Sequence, residues 1–97
     1  MRQLLVRPLA EADVQAGFLW YEAQAEGLGH EFLRAVDACY APIERWPEAY
    51  PVVYRRYRRA LLRRFPYIVY FSVSDTTIEV VACTHGRQHP TWWHRRT

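Results

Sequence analysis

The sequence predicts an α+β fold in which a short N-terminal strand and a helical hairpin precede an antiparallel β-meander. Apolar residues first recur at the three- and four-residue spacing of helices, and after Pro51 the spacing changes to that of strands. A glycine-containing break, Gly27-Leu28-Gly29, divides the helical part in two. Because helices that are segregated from antiparallel strands pack on one face of the sheet, we expect two layers within a single domain over residues 1–97.

The helical hairpin is predicted from two stretches that each carry one apolar face. The first runs from about Ala10 to Glu26, and the second follows the glycines and ends at Trp46-Pro47. Pro42 lies late in the second stretch, where it removes a backbone hydrogen bond and is expected to kink the last turn. The residues expected to form the core from these faces are Val14, Phe18, Tyr21, Phe32, Val36 and Ile43.

The strands are predicted from short apolar runs that are bounded by turn-forming residues. The strongest run is YIVYFSV, because it is rich in β-branched and aromatic residues and lies between a Phe65-Pro66 corner and a turn at residues 74–76. The predicted strands are Gln3–Arg7, Val52–Arg56 and Tyr57–Arg64 (one strand or two closely joined strands), Tyr67–Val73 and Thr77–Cys83; the tail from Thr84 is predicted to be a loop with one helical turn near Trp92 and Trp93.

The composition argues against a membrane protein and against a metal site. No run approaches the roughly 20 apolar residues that a membrane span needs, and the N-terminus does not resemble a signal peptide, so we expect a cytoplasmic location. Cys39 and Cys83 are therefore expected to be buried thiols rather than a disulfide. Cys83 is close in sequence to His85, His89 and His94, but the paired-cysteine spacing of zinc sites is missing, so we expect no metal and no cofactor.

The charges are segregated along the chain. All 13 basic residues are arginine; residues 1–50 hold four of them with eight acidic residues, and residues 51–97 hold nine with two acidic residues. The two parts therefore carry about −4 and about +7, which sums to the net charge of +3. This arrangement gives one side of the molecule a positive field that suits phosphates or an acidic partner.

Three blocks occur in an order that resembles the RelE/ParE superfamily of toxins, the plasmid stabilisation protein family. They are Asp13 through Glu22 read with Gly27-Leu28-Gly29 and Phe32, then the run RRALLRRFPYIVY over residues 58–70, and finally HGRQHPTWW over residues 85–93. With the element order, the resemblance covers nearly the whole chain. The last block looks like the closing H-x-x-R-x-P pattern of the family, but Gln88 stands where many relatives carry an arginine, so a role tied to that arginine is in doubt.

The resemblance implies the toxin of a type II toxin–antitoxin system, which a cognate antitoxin binds in a hetero-oligomer and neutralises. An antitoxin segment is expected to add to the sheet edge or to lie along a groove. Members of the ParE branch poison DNA gyrase and are not nucleases, whereas others cleave mRNA on the ribosome. We expect growth inhibition through gyrase. The alternatives are a ribosome-dependent endoribonuclease, or an inactive or regulatory member that acts only as a binding module.

If the chain is a ribonuclease, the expected catalytic residues are Arg58, Arg64, His85 and Arg87. A histidine that titrates near neutral pH accepts and donates protons, and arginines stabilise the charge that develops on the phosphate. Glu48 is a further candidate base. The competing interpretation is that His85 is a structural residue at the end of a strand, and no tyrosine follows the last strand as it does in some ribonuclease members.

The remaining arginines and two tryptophans are candidate binding residues. The strand candidates over residues 52–64 carry an arginine cluster of six residues: Arg55, Arg56, Arg58, Arg59, Arg63 and Arg64. This arginine cluster is interpreted as a grip for RNA phosphates, as a clamp for an acidic antitoxin tail, or as a solvated face that balances the acidic helices. The tryptophans could stack on a base or cap the core. The candidates are Arg55, Arg56, Arg59, Arg63, Trp92 and Trp93.

Overall fold

A computed structural model describes residues 2–97 of the chain. Two α-helices and five strands make up most of the fold. In chain order, the elements are β1 (Gln3–Val6), α1 (Pro8–Gln24), α2 (Leu28–Arg45), a 3₁₀ turn (Pro47–Ala49), β2 (Val52–Tyr54), β3 (Tyr57–Leu61), β4 (Tyr67–Val73), β5 (Thr77–His85) and a second 3₁₀ turn (His94–Arg96).

The strands form one sheet in the order β1-β5-β4-β3-β2. The strands β2 to β5 are an antiparallel meander, as the sequence predicts, and β1 joins parallel to β5, which makes the sheet mixed. The two helices cover one face, with α1 over β5 and α2 over β3. The predicted α+β class is therefore confirmed.

The boundary between the helices differs from the prediction. α1 begins at Pro8 rather than Ala10, because proline fits the first turn of a helix, where its missing N–H is not needed. The chain turns at residues 25–27, and only Gly27 has a left-handed backbone, with φ of 87°. Leu28 and Gly29 already belong to α2, so the predicted three-residue break was wrong at both. A Cβ at position 29 would lie 2.7 Å from the Phe18 carbonyl oxygen, so close helix packing requires this glycine.

The predicted strand Tyr57–Arg64 was too long. β2 and β3 are two strands joined at Arg55-Arg56, and β3 ends at Leu61. Arg64 therefore lies in the corner before β4, with φ of 71°, rather than on the predicted strand. α2 contains Pro42 and ends at Arg45, directly before Trp46-Pro47, as predicted.

Two apolar clusters lie on opposite faces of the sheet. The larger one, between the sheet and the helices, contains the predicted residues Val14, Phe32, Val36 and Ile43 at its centre, with Phe18 and Tyr21 packed against it. The smaller one lies on the other face and consists of Tyr57, Tyr70, Val81, Ala82 and Trp93. The C-terminal tail thus covers part of the face that the helices leave open.

Cys39 and Cys83 are free thiols, and Cys83 is buried as expected, whereas Cys39 is only partly buried. Burial raises the pKa of the Cys39 thiol to about 11 and that of the Cys83 thiol to about 12, so both stay protonated at neutral pH. Among residues 2–97, no helix combines the length and the apolar character that crossing a membrane requires.

Candidate functional site

A cleft between α1 and the C-terminal end of β5 brings together several residues that sequence analysis selected. It consists of two adjoining hollows of about 400 and about 450 Å³ that share Trp20, Tyr67 and His85. Arg87 lines one hollow, and Gln88 and Trp92 line the other. Aromatic walls with a few polar groups are typical of small binding sites.

A β-bulge in β5 turns His85 toward this cleft. Tyr70 of β4 pairs with Ala82, but the next residue, Phe71, pairs with Val80, so Val81 is an extra residue in β5. Before the bulge Val80 faces the helices, and after it Cys83 does. His85 follows Cys83 by two positions and therefore points to the same face, where its ring packs edge-on against Tyr67 at 5.3 Å.

A buried ion pair holds the bulge to α1 and to the tail. The guanidinium group of Arg96 donates to both carboxylate oxygens of Asp13, at 2.6 and 2.9 Å, and also to the Val81 carbonyl oxygen at 3.1 Å. The Cys83 N–H donates to the same carboxylate at 3.0 Å. The backbone groups that the bulge would leave without partners are therefore satisfied by side chains from two other parts of the chain.

The His85 ring is partly fixed by the loop that follows it. The Arg87 N–H donates to His85 Nδ1 at 3.0 Å, so in the neutral ring the proton is assigned to Nε2, which is the nitrogen left for a ligand. Tyr67 lines both hollows beside it. Burial, together with nearby Tyr21, Cys83 and Asp13, raises the pKa of the Tyr67 phenol, which therefore remains a hydrogen-bond donor at neutral pH. Sequence reasoning missed Tyr67 because it looked for a tyrosine after the last strand.

The other two members of the predicted catalytic set lie elsewhere. Arg58 pairs with Phe71 of β4, whereas His85 pairs with Tyr67 of the same strand. The two pairs are four residues apart, which corresponds to roughly 13 Å along β4. The Arg58 guanidinium group donates to the Tyr50 and Glu48 carbonyl oxygens at 2.7 and 3.3 Å.

Arg64 forms an exposed ion pair with Glu31 at 2.8 Å, and Glu48 forms another with Arg2 at 3.0 Å. Of the four predicted catalytic residues, the structure brings only His85 and Arg87 to one cleft.

The candidate binding arginines occupy two separate surfaces. Arg55 and Arg56 form the turn between β2 and β3, and their guanidinium groups lie over the rings of Tyr54 and Tyr57 at 5.1 and 5.3 Å. Arg59 follows on β3 and is exposed. Arg63 instead borders a groove of about 500 Å³ between α2 and β3. No ion pair of these four arginines is found among residues 2–97.

The two tryptophans of the tail have different environments. Trp93 is 1% exposed and stacks on Tyr70 at 4.5 Å between ring centres, so it caps the smaller core and offers no free face for a base. Trp92 is 43% exposed and lies beneath the Arg96 guanidinium group. His94 stacks on Tyr54, on the opposite face of the sheet from Cys83. Within residues 2–97, no three His, Cys, Asp or Glu side chains lie together as a metal site.

The comparison with known families decides the assignment. Residues 4–90 match the family described as "ParE toxin of type II toxin-antitoxin system, parDE". The chain belongs to the ParE toxin family. It is therefore the toxin component of a type II toxin–antitoxin system, and membership of the family implies an antitoxin partner.

Individual relatives agree with the ParE assignment. Two proteins named Toxin ParE2, from the Mycobacterium tuberculosis strains CDC 1551 / Oshkosh and ATCC 25618 / H37Rv, are each 30% identical over 90 residues, which cover 92% of this chain and 86% of theirs. A solved structure titled "Chromosomal ParDE TA system from P. aeruginosa" has the same fold, with a TM-score of 0.66 and 20% identity over 88% of this chain and 96% of that chain.

The first of the ParE-like sequence blocks has a physical explanation in the structure. The Glu22 carboxylate accepts hydrogen bonds from the Gly27 and Gly29 N–H groups, both at 2.9 Å, across the turn between the helices. The bond from Gly27 is the main reason why the pKa of Glu22 lies below its ordinary value. In the same block, Asp13 holds the β5 bulge and the tail. The spacing of the block thus fixes how the two helices and β5 meet.

Proposed function

We propose that this ParE-family toxin stops growth by acting on DNA gyrase once it is free of its antitoxin. The observation that carries the proposal is the dispersal of the residues that an RNA-cleaving site would need. Arg58 and Arg64 are engaged in contacts outside the cleft, and Glu48 is paired with Arg2. A protein that inhibits by binding needs no such set, and the ParE family match over residues 4–90 supports the same target.

Expression of the toxin without antitoxin tests the proposal. A gyrase inhibitor should cause gyrase-linked DNA breaks within the first minutes while protein synthesis continues. Early arrest of translation with mapped cuts in mRNA would contradict it, and unchanged growth would indicate a regulatory member that only binds.

The ribonuclease alternative has one specific observation in its favour. His85 and Tyr67 border the same cleft, with Arg87 on its rim, so a proton acceptor, a proton donor and a cation lie near one another. If this alternative is correct, His85→Ala and Tyr67→Phe should each abolish mRNA cleavage and toxicity. Toxicity that survives both changes would show that the cleft does not take part in toxicity.

For the antitoxin, we propose the groove between α2 and β3 as a docking site. Small and apolar residues line it, Leu61 is 63% exposed at its edge, and Arg63 on its rim suits an acidic residue of the antitoxin. Ala38→Arg should fill the groove and abolish neutralisation by the antitoxin while leaving toxicity intact. Ala41→Arg, exposed on the same helix but outside the groove, is the matched control, and equal effects of the two changes would refute the site. The cytoplasmic location and the hetero-oligomer with antitoxin remain predictions.

A further inference from the structure

The turn between β2 and β3 carries arginine at a position that disfavours it. Arg55 has φ of 52°, in the left-handed region, and two-residue hairpin turns prefer Gly, Asn or Asp at such positions. For a residue with a side chain, this backbone costs roughly 1–2 kcal/mol. A strained residue at an exposed turn is a reason to look for a function of its side chain.

The start of β2 is open on both faces. Successive residues of a strand point to opposite faces, and Val52 and Val53 are 51% and 43% exposed. Tyr54 at the end of β2 is instead covered by the His94 ring, and Tyr57 of β3 is buried. β2 is also the last strand of the sheet. The arginine pair at the turn therefore lies at the exposed edge of the five-stranded sheet.

The arginines of this hairpin form a positive surface, which we define as Arg55, Arg56 and Arg59. Cation–π contacts with Tyr54 and Tyr57 orient the first two guanidinium groups, which leaves less side-chain freedom to lose on binding. In the tail, stacking against Tyr54 desolvates His94 and lowers its pKa, and the charge of Arg55 lowers it further.

An acidic side chain on the same face of the sheet is separated from this surface. Glu79 of β5 points to the same face of the sheet, but it lies two strands from β3, roughly 10 Å away. Among residues 2–97, none of the three arginines forms an ion pair. Their charges are thus available to an external partner.

We propose that the β2–β3 hairpin binds the phosphate backbone of duplex DNA without reading its sequence. The inference rests on the proposed gyrase function, because it gives the toxin its own contact with the DNA that gyrase holds. Contacts to the phosphates position a protein on duplex DNA without reading its sequence, and arginine is well suited to bind phosphate oxygens. Arg56 and Arg59 are three residues apart, which corresponds to roughly 10 Å along the chain. Over the same length of its axis, duplex DNA carries about six phosphate charges.

Fluorescence anisotropy with the full chain and a labelled 20-base-pair DNA duplex tests this inference. Three phosphate contacts should make binding about 40-fold weaker at 200 mM salt than at 50 mM. The triple variant Arg55→Gln/Arg56→Gln/Arg59→Gln should lose most of this salt dependence and bind at least about tenfold more weakly at 50 mM. The control, Arg7→Gln/Arg34→Gln/Arg45→Gln, removes the same charge from exposed positions in the acidic half and should bind almost as well as the native chain.

Three results would overturn the inference: equal losses in the two triple variants, DNA affinity that the hairpin substitutions leave unchanged, or tighter binding of a matched RNA duplex or an oligo-glutamate peptide than of DNA. Different results would refute the gyrase proposal and this inference. Gyrase inhibition by a native chain whose DNA affinity does not depend on the hairpin arginines would refute only this inference, whereas DNA binding through the hairpin without any effect on gyrase would refute only the proposed target.

Discussion

Removal of the Arg96 side chain should destabilise the protein strongly, because it breaks a largely buried ion pair with Asp13. Asp13 and Arg96 are 11% and 14% exposed, and the two side chains share two hydrogen bonds. Arg96→Met keeps the apolar stem but leaves the Asp13 carboxylate with the Cys83 N–H alone. It also removes the donor to the Val81 carbonyl oxygen and the cation above Trp92.

The loss of one partner from a buried ion pair destabilises a protein by about 3–5 kcal/mol. A chain of this size has a free energy of unfolding of about 5–15 kcal/mol, so the change removes a large part of it. The expected decrease in Tm is on the order of 15 °C. Asp13→Asn in the Arg96→Met background should restore part of the stability, because asparagine still accepts the bond from Cys83 without carrying a charge.

Urea unfolding followed by circular dichroism measures these differences. The exposed neighbour Arg95 supplies the control, and Arg95→Met should change the free energy of unfolding by no more than about 0.5 kcal/mol. A loss below about 1 kcal/mol for Arg96→Met, or no recovery in the variant that also carries Asp13→Asn, would refute the assignment of the pair as a buried, mutually dependent contact.

Three further changes test other parts of the structure. Gly17→Ala places a Cβ 2.7 Å from the buried Phe32 ring. Urea unfolding should therefore show that the free energy of unfolding falls by about 1–2 kcal/mol, even though alanine favours helices. An increase in stability would contradict the described packing. Arg55→Gly should raise the free energy of unfolding by up to about 1 kcal/mol because it relieves the left-handed backbone, and a clear loss would argue against strain at the turn. The thiols of Cys39 and Cys83 have raised pKa values in the folded protein, so they ionise first in the unfolded chain. The free energy of unfolding should therefore fall as the pH rises above about 9, by up to about 1.4 kcal/mol per pH unit for each thiol. Unfolding curves at pH 8 and pH 10 should therefore differ in the native chain, and the difference should become smaller when both cysteines are changed to alanine. The remainder is expected from tyrosines with raised pKa, such as Tyr67, and a difference that the cysteine changes leave intact would contradict the prediction.

The layers of the fold follow from periodicity, but the direction of His85 does not. Helical spacing and the run Tyr67–Val73 predict the hairpin and the central strand correctly. Strict alternation along β5 from Val80 would point His85 away from the helices, and the extra residue Val81 reverses this. The bulge depends on partners that are 70 and 15 residues away in the chain, Asp13 for the Cys83 N–H and Arg96 for the Val81 carbonyl oxygen. No local pattern carries that information.

The arginine cluster illustrates a second limit of sequence reasoning. Its density correctly indicates a basic surface, but nearness in sequence does not say which guanidinium groups already have partners. Arg58 donates to two carbonyl oxygens and Arg64 pairs with Glu31, whereas Arg55 and Arg56 stand at a turn that their residue types do not favour. The contacts of these arginines depend on where β3 ends, and the alternating pattern placed that end at Arg64 instead of Leu61.

Incubation of the purified toxin with DNA gyrase and a supercoiled plasmid tests the central claim most directly. We predict that cleaved, gyrase-linked plasmid accumulates in proportion to the toxin, that the cognate antitoxin prevents it, and that mRNA on ribosomes stays intact under the same conditions. Gyrase that supercoils DNA normally in the presence of the toxin, together with cuts in ribosome-bound mRNA that His85→Ala abolishes, would contradict the account.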